Sequence, residues 1–205
     1  EDSSNQESSP CLCYDPNFEE KRENQQYFYS RKSAGLLIDA IFEYFQNDEQ
    51  RIADELCCLC VPSIAEVTLL DFDTRFSYLP GYQHFDLLKP TPVLTKGIQE
   101  TTNRIQKTFS MILFDPPYFG IPFDQMKRSV DTLSIPTTRI LLNFIRRDES
   151  GLLRTFPEMR RTTAVVEYDR VRDSRWSNYA LYSNCDLRRI KRINDKKGST
   201  TKVKK

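Results

Sequence analysis

The stretch FSMILFDPPYFG, residues 109–120, decides the fold: six residues rich in strand formers run into an acid, two prolines and an aromatic ring. A short apolar run of this kind fits a strand buried on both faces, as in a parallel sheet. The prolines fix two φ angles, remove two amide donors and hold Asp115 extended, so the chain turns stiffly where the strand ends. Working outward, three further runs share this character: LCCLCV at 56–61, VTLLDF at 67–72 and RILLNF at 139–144. Leu37, Ile38, Ile41, Phe42 and Phe45 recur on one side of a helix that starts near Ala34, with Ser30 placed to cap it. Residues 93–108 and 123–133 read as crossover helices, and segments 162–169 and 176–183 as an antiparallel hairpin at one sheet edge. The expectation is a doubly wound α/β fold, a mostly parallel sheet with a C-terminal antiparallel hairpin. In such folds ligands bind outside the carboxyl ends of the strands, so the residues that follow each apolar run matter most.

A chain of 205 residues supports one full core with tails. Its 39% hydrophobic and 29% charged residues are ordinary, and no apolar run approaches the roughly 20 residues that cross a bilayer, which excludes a membrane-spanning reading. The 30 Lys+Arg nearly balance the 29 Asp+Glu, but unevenly: from Arg188 to Lys205 there are nine basic residues and one acid, against 21 basic and 28 acidic in residues 1–187. Such a tail can contact phosphates without selecting sequence, or it is a solvated terminus. Residues 1–20 are polar, Ser-rich and broken by Pro10 and Pro16, which predicts a mobile leader ahead of a domain spanning 21–187. Six cysteines are too few for a disulfide framework in so long a chain and read as reduced, intracellular thiols.

Asp115 and the Pro116 carbonyl can hold the hydrogens of an exocyclic amine such as adenine N6, whose lone pair stays delocalised until acceptors favour a tetrahedral nitrogen. Pro117 stiffens the corner and Tyr118 can stack on the flat ring. The same four residues also suit a plain strand-terminating turn. After the 67–72 run, Asp71 can accept both ribose hydroxyl protons of a nucleoside while Phe72 covers its base, although an acid there also suits a surface turn. Phe85 and Asp86, in YQHFDLLKP, sit between these two segments, and their meaning depends on the fold. The loop after LCCLCV carries Pro62 and Ser63 but no G-x-G, so nicotinamide-dinucleotide and P-loop readings have no phosphate cradle. His84 is the only histidine, which removes most triad, zinc-protease and His-relay schemes. Cys57, Cys58 and Cys60 read as small core residues, Cys11 and Cys13 lack partners for a complete zinc site, and no metal is expected.

Taken in order, these elements resemble the class I S-adenosylmethionine-dependent methyltransferases of the N6-adenine type, over roughly residues 24–184. The resemblance implies a Rossmann-like fold and S-adenosylmethionine as cosubstrate. It implies that Gln26, Tyr27, Phe28 and Tyr29 form the aromatic segment before the first helix, that Asp71 binds ribose and that Asp86 contacts adenine. Pro62, Ser63, Phe72 and Phe85 complete the cosubstrate set, and Asp115, Pro116, Pro117 and Tyr118 fall on the D/N-P-P-aromatic motif that holds the target. Within this group NQQYFYSRKS, LCVPSIAE, LLDFDTRF, DPPYFG, FPEMRR, VEYD and NYALY are similar to the zinc-finger CCHC-type ribosomal RNA adenosine N6-methyltransferase family. That likeness implies an RNA substrate, ribosomal in kind, and a site of action in the cytoplasm or nucleus, including the nucleolus. Tyr118 stands where that branch often has Phe. The flanking zinc modules of that branch have no counterpart in these residues, so the basic tail, flanking modules or a partner chain would have to select the RNA. The elongation factor lysine methyltransferase family is similar in QYFYS, VPS and DPPY, and implies a lysine amine instead. A degenerate fold serving as a binding subunit is the third reading.

Overall fold

The computed structural model describes residues 27–64, 67–94 and 106–193. The leader expected at 1–20, Gln26 and residues 194–205 of the basic tail lie outside them, as does most of the crossover helix expected over 93–108. The described flanks of that helix meet in an antiparallel bridge between Leu94 and Gln106.

Seven strands form one sheet: β1 (Leu56–Leu59), β2 (Thr68–Asp71), β3 (Tyr82–His84), β4 (Phe109–Phe114), β5 (Ser134–Ile145), β6 (Arg160–Arg161) and β7 (Tyr179–Ser183). Their order across the sheet is β3-β2-β1-β4-β5-β7-β6, parallel from β3 to β5 and antiparallel from β5 onward. The chain therefore winds one way from β1 to β3 and returns to place β4 on the other side of β1. A crevice opens between β1 and β4, where the loops leave in opposite directions. The apolar runs do what their composition predicts, since β1, β2 and nearly all of β4 are buried on both faces.

Helix α1 (Arg31–Phe45) starts at Ser30, whose Oγ accepts from the Ser33 N–H at 3.2 Å, and stops where Gln46 turns left-handed at φ 56°. Helix α2 (Glu49–Glu55) leads straight into β1, α3 (Phe123–Leu133) fills the span predicted for it, and α4 (Glu149–Thr155) follows β5. The described residues contain no helix long and apolar enough to cross a membrane.

Two expectations are corrected. The antiparallel C-terminal pair expected at one sheet edge is present, but as β6 (Arg160–Arg161) with β7 and not as 162–169 with 176–183: β7 lies between β5 and β6, while Asp173–Asn178 makes a 3-10 turn. Thr162 still pairs with β7, its N–H donating to the Leu181 carbonyl at 2.8 Å, but the rest of the segment leaves the sheet and Tyr168 bridges Tyr29. Its partner there is the strap ahead of α1. The tail also begins later than its charge suggests. Ile190 is fully buried, the Thr163 N–H donates to the Lys191 carbonyl at 2.8 Å, and the Ile193 N–H to the Arg161 carbonyl at 2.7 Å.

Gly81 fixes the approach of β3 to β2, because a Cβ there would stand 1.8 Å from the Val67 carbonyl oxygen. Backbone must move to relieve that clash, so Gly81→Ala is expected to lose about 2–4 kcal/mol in chemical denaturation. An unchanged unfolding midpoint would contradict this packing.

Candidate functional site

Three strand tips converge on the crevice. β1 ends at Leu59, and Cys60 then adopts a left-handed backbone, φ 58°, while its N–H still donates to the Leu70 carbonyl at 2.8 Å. Such a conformation is uncommon for a residue with a Cβ and turns the following loop sharply across the sheet. Asp71 closes β2. Its carboxylate is buried, with Oδ1 accepting from the Asp73 N–H at 2.8 Å, and its carbonyl accepts from the Phe85 N–H at 3.0 Å, which draws the Phe85-Asp86 segment alongside. Asp86 is shaped in turn by the Leu88 N–H, which donates to its Oδ1 at 2.8 Å. Asp115 follows β4, its N–H donating to the Leu59 carbonyl at 3.2 Å.

These tips enclose a cavity of about 280 Å³. Asp71, Phe72, Phe85 and Asp86 form one wall, Tyr27, Cys60 and Pro62 another, and Asp115, Pro117 and residues 119–121 the third. Seven of the sequence-predicted site residues other than Tyr27 thus share one cavity: Pro62, Asp71, Phe72, Phe85, Asp86, Asp115 and Pro117. Phe72 is 61% exposed at its mouth.

The remaining predicted residues do not line it. Phe28 and Tyr29 are core residues, each 1% exposed, because the strap that carries them pairs with 167–169: the Asp169 N–H donates to the Phe28 carbonyl at 2.9 Å and the Ser30 N–H to the Glu167 carbonyl at 2.9 Å. Ser63 is buried and holds that strap, its Oγ accepting from the Tyr29 N–H at 3.2 Å. Pro116 is buried behind the corner. Tyr118, expected to stack on the target, is turned inward: its ring packs on Tyr179 at 5.2 Å and edge-on to Phe144 at 5.6 Å. The aromatic ring of this loop on the cavity wall is Phe119, half exposed, with the Arg147 guanidinium 5.1 Å from its centroid. With two prolines fixing the backbone after Asp115, the side chains that follow are aimed by the turn rather than by strand alternation.

Sequence reasoning missed the surroundings of Asp115. The Tyr168 hydroxyl donates to both carboxylate oxygens at 3.1 Å, the Tyr118 hydroxyl donates to Oδ1 at 3.2 Å, and the Asn143 amide donates to the Tyr168 hydroxyl. The available signal was Asn143 itself, a polar residue inside the apolar run of β5, which can be buried only with partners. Cys60 packs against the core, as the sequence predicts, and also lines the cavity.

Burial pushes the Asp71 carboxyl up to about 7, against the pull of the Asp73 backbone N–H. Burial likewise pushes Asp115 up to about 7, with the phenol hydrogen bonds, Tyr168's first, pulling the other way. Among the described ion pairs neither carboxylate has a cationic partner. Two buried acids facing one cavity beside exposed apolar rings suit a ligand that brings hydroxyl donors, a flat base and positive charge. S-adenosylmethionine has all three, so the residues fit it. The described residues contain no group of three or more His, Cys, Asp or Glu placed to hold a metal ion.

A family model described as probable N6-adenine methyltransferase matches residues 20–187. No curated protein sequence matches the chain. Among solved structures, the chain is similar to Thermoplasma acidophilum 1320, at 12% identity and TM-score 0.45 over 83% of this chain and 92% of that one. It is similar to TrmN from Thermus thermophilus at 15% identity and TM-score 0.40, over 77% of this chain and 48% of that one. A putative methylase from Haemophilus influenzae aligns at 14% identity and TM-score 0.38, over 75% of this chain and 99% of that one.

A carboxyl whose folded pKa is raised favours the folded state below its unfolded pKa of about 4 and loses that advantage as pH rises to about 7. Asp71→Asn and Asp115→Asn are therefore each expected to stabilise the protein at about pH 8, by about 1–4 kcal/mol, and to change little near pH 4. Thermal unfolding at both pH values checks this; an equal effect at each would contradict it.

Proposed function

The chain belongs to the probable N6-adenine methyltransferase family, and we propose that it transfers a methyl group from S-adenosylmethionine to adenine N6 in RNA, ribosomal RNA by preference. The observation that carries this reading is the placement of Asp115, at a proline-locked corner, on the same cavity as Asp71. S-adenosylmethionine is the cosubstrate expected of this fold, and it supplies a methyl carbon already activated by a sulfonium, so no metal is required of the protein.

In this reading Asp71 accepts the ribose hydroxyl protons, Phe72 and Phe85 cover the nucleoside base, and Asp86 accepts from its amino group. Tyr27 and Pro62 close the cavity over the cosubstrate. Asp115 accepts the hydrogens of the target amine, drawing its lone pair out of conjugation and toward the methyl carbon. As the nitrogen–carbon bond forms, the sulfur–methyl bond would break to leave a neutral thioether, and the positive charge passing to the nitrogen would be stabilised by the Asp115 carboxylate. A carboxyl near neutrality can also hold the proton that the nitrogen then loses.

The choice of a polyanionic substrate rests on charge. Arg146 and Arg147 follow β5, and Arg170, Arg172 and Arg175 lie on the loop between Tyr168 and β7; all five are exposed. The Arg146 guanidinium donates to the Ser177 carbonyl at 3.1 Å and so ties the two segments together, while Arg147 reaches the cavity through Phe119. Of the tail expected to meet phosphates, Arg189 pairs with Asp39 and Arg192 with Asp186. Arg147 pairs likewise with Asp148 at 3.0 Å, but Arg146, Arg170, Arg172 and Arg175 take part in none of the described ion pairs, and the phosphate contacts are therefore assigned to the lip beside Asp115. A lysine substrate would need to lose a proton before attack and gains nothing from this basic rim.

Asp115→Ala is expected to lower methyl transfer to total RNA by about 100-fold or more while leaving cosubstrate affinity within about threefold. Labelled S-adenosylmethionine, followed by ribonuclease or protease digestion, reads both rate and substrate class; full transfer by the variant would overturn the assignment. Replacing Arg146, Arg147 and Arg175 together by Gln should weaken single-stranded RNA binding and flatten its log–log salt slope by about 2. An unchanged slope would place the phosphates elsewhere.

A further inference from the structure

Asp115 has two acceptor oxygens and must present them to a target amine in one orientation, yet a carboxyl rotates freely about its own side-chain bond unless something holds it. Two phenols do so. The Tyr168 hydroxyl lies 3.1 Å from Oδ1 and 3.1 Å from Oδ2, so it sits on the plane that bisects the carboxylate. The Tyr118 hydroxyl, 3.2 Å from Oδ1, marks one oxygen off from the other. Three distances to two oxygens leave the carboxylate no free rotation.

The direction of the bonds is set one layer deeper. Asn143 on β5 is fully buried, and its amide nitrogen donates to the Tyr168 hydroxyl and, at 3.5 Å, to the Tyr118 hydroxyl. Each phenol oxygen thus has a donor behind it, and the two hydroxyls also meet each other, so that one phenol proton lies between them and the other is directed to Asp115. The rings are clamped as well: Tyr168 stacks on Tyr29 at 5.5 Å and meets Tyr179 edge-on at 5.1 Å, and Tyr27 lies 5.7 Å away on the cavity side.

We propose that Tyr168 is a positioning residue for methyl transfer: its hydroxyl, polarised by the Asn143 amide, fixes the plane in which the Asp115 carboxylate meets the target amine. The proposal deepens the methyltransferase reading and rests on Asp115 being the group that receives that amine. Tyr168 does not touch the cavity and acts only through Asp115.

A second consequence follows from the same bonds. Hydrogen bonds donated to the ionised carboxylate favour it, so losing the Tyr168 hydroxyl raises the pKa of Asp115 above its present value of about 7. The other groups facing Asp115 are Tyr29 from the strap, Cys60 after β1, Tyr118 in the corner, Asn143 from β5 and Tyr179 from β7. None is cationic, so no neighbouring positive charge would mask the change.

Tyr168→Phe keeps the ring and its packing and removes only the hydroxyl. The Asp115 carboxyl, followed by carbon-13 NMR in the protein without substrate, should titrate about one unit higher than in the wild type. With RNA and S-adenosylmethionine, kcat should fall about 10- to 100-fold near pH 7, while KM for RNA and the cosubstrate Kd stay within about threefold. The acid limb of the kcat profile should move to higher pH by the same amount as the carboxyl titration, so that activity partly recovers near pH 9. Tyr118→Phe, which loses a bond to one oxygen only, should show a smaller shift of the same sign. A merely structural role would lower kcat equally at every pH. An unmoved carboxyl titration, or a kcat loss with no shift of the acid limb, overturns the proposal. If the carboxyl shifts as expected but Asp115→Ala still transfers methyl groups, the phenol clamp stands and the assignment of Asp115 to the reaction fails instead.

Discussion

A half-buried carboxylate with no counter-ion among the described ion pairs governs how this molecule is assembled. Asp115 follows the central strand of the sheet, where water reaches it only through the cavity, and an unpaired charge there costs several kcal/mol unless hydrogen bonds replace its hydration. The replacements come from far along the chain. Tyr168 and Tyr118 donate to it, and Asn143 supports both phenols. These bonds share their members, since the Asn143 amide feeds both phenols and the two hydroxyls meet each other, so the loss of one member disturbs the rest.

That requirement explains the connection between the two ends of the domain. The strap before α1 and the segment 167–169 pair through the Tyr29–Tyr168 bridge, and two further backbone bonds fasten them on either side. Tyr27, Tyr29 and Tyr179 pack around the Tyr168 ring, so the strap, the corner and β7 are joined by aromatic contacts at the place where the phenols must be held still. Phe28 faces the other way, onto Phe76 after β2, and anchors the strap to the cosubstrate side. Closing the cavity and orienting Asp115 are thus accomplished by the same few residues.

What was legible in the sequence was what depends on neighbours in the chain. FSMILF, TLLD and the α1 stripe each carry their own period, and the two prolines announce the corner whatever lies around it. What was illegible depends on contacts across the chain. Residues 162–169 read as a strand, but nothing in them reveals that Tyr168 finds its partner in a strap more than a hundred residues earlier rather than in β7. Tyr118 follows an acid and two prolines, as a stacking ring would, yet the buried donor Asn143 and the acceptor Asp115 both lie inward, and its hydroxyl goes to them. Phe119 has no hydroxyl to satisfy and takes the cavity wall. α2 and α4, at seven residues each, are too short to show a clear apolar period.

The two acids are raised to the same level by burial but are held differently, and the difference suits different tasks. Asp71 is fastened by backbone N–H groups of its own loop, which do not titrate and do not move when the cavity fills, so its remaining acceptor capacity is available to hydroxyls. Asp115 is fastened by phenols, which are polarisable donors backed by an amide, and its strength as an acceptor is adjustable through them. Both carboxyls line one cavity. In the proposed reaction a cationic ligand in that cavity would favour the ionised form of each, the form in which Asp115 can accept from the target amine. The ligand thus offsets the burial that holds the Asp115 carboxyl up.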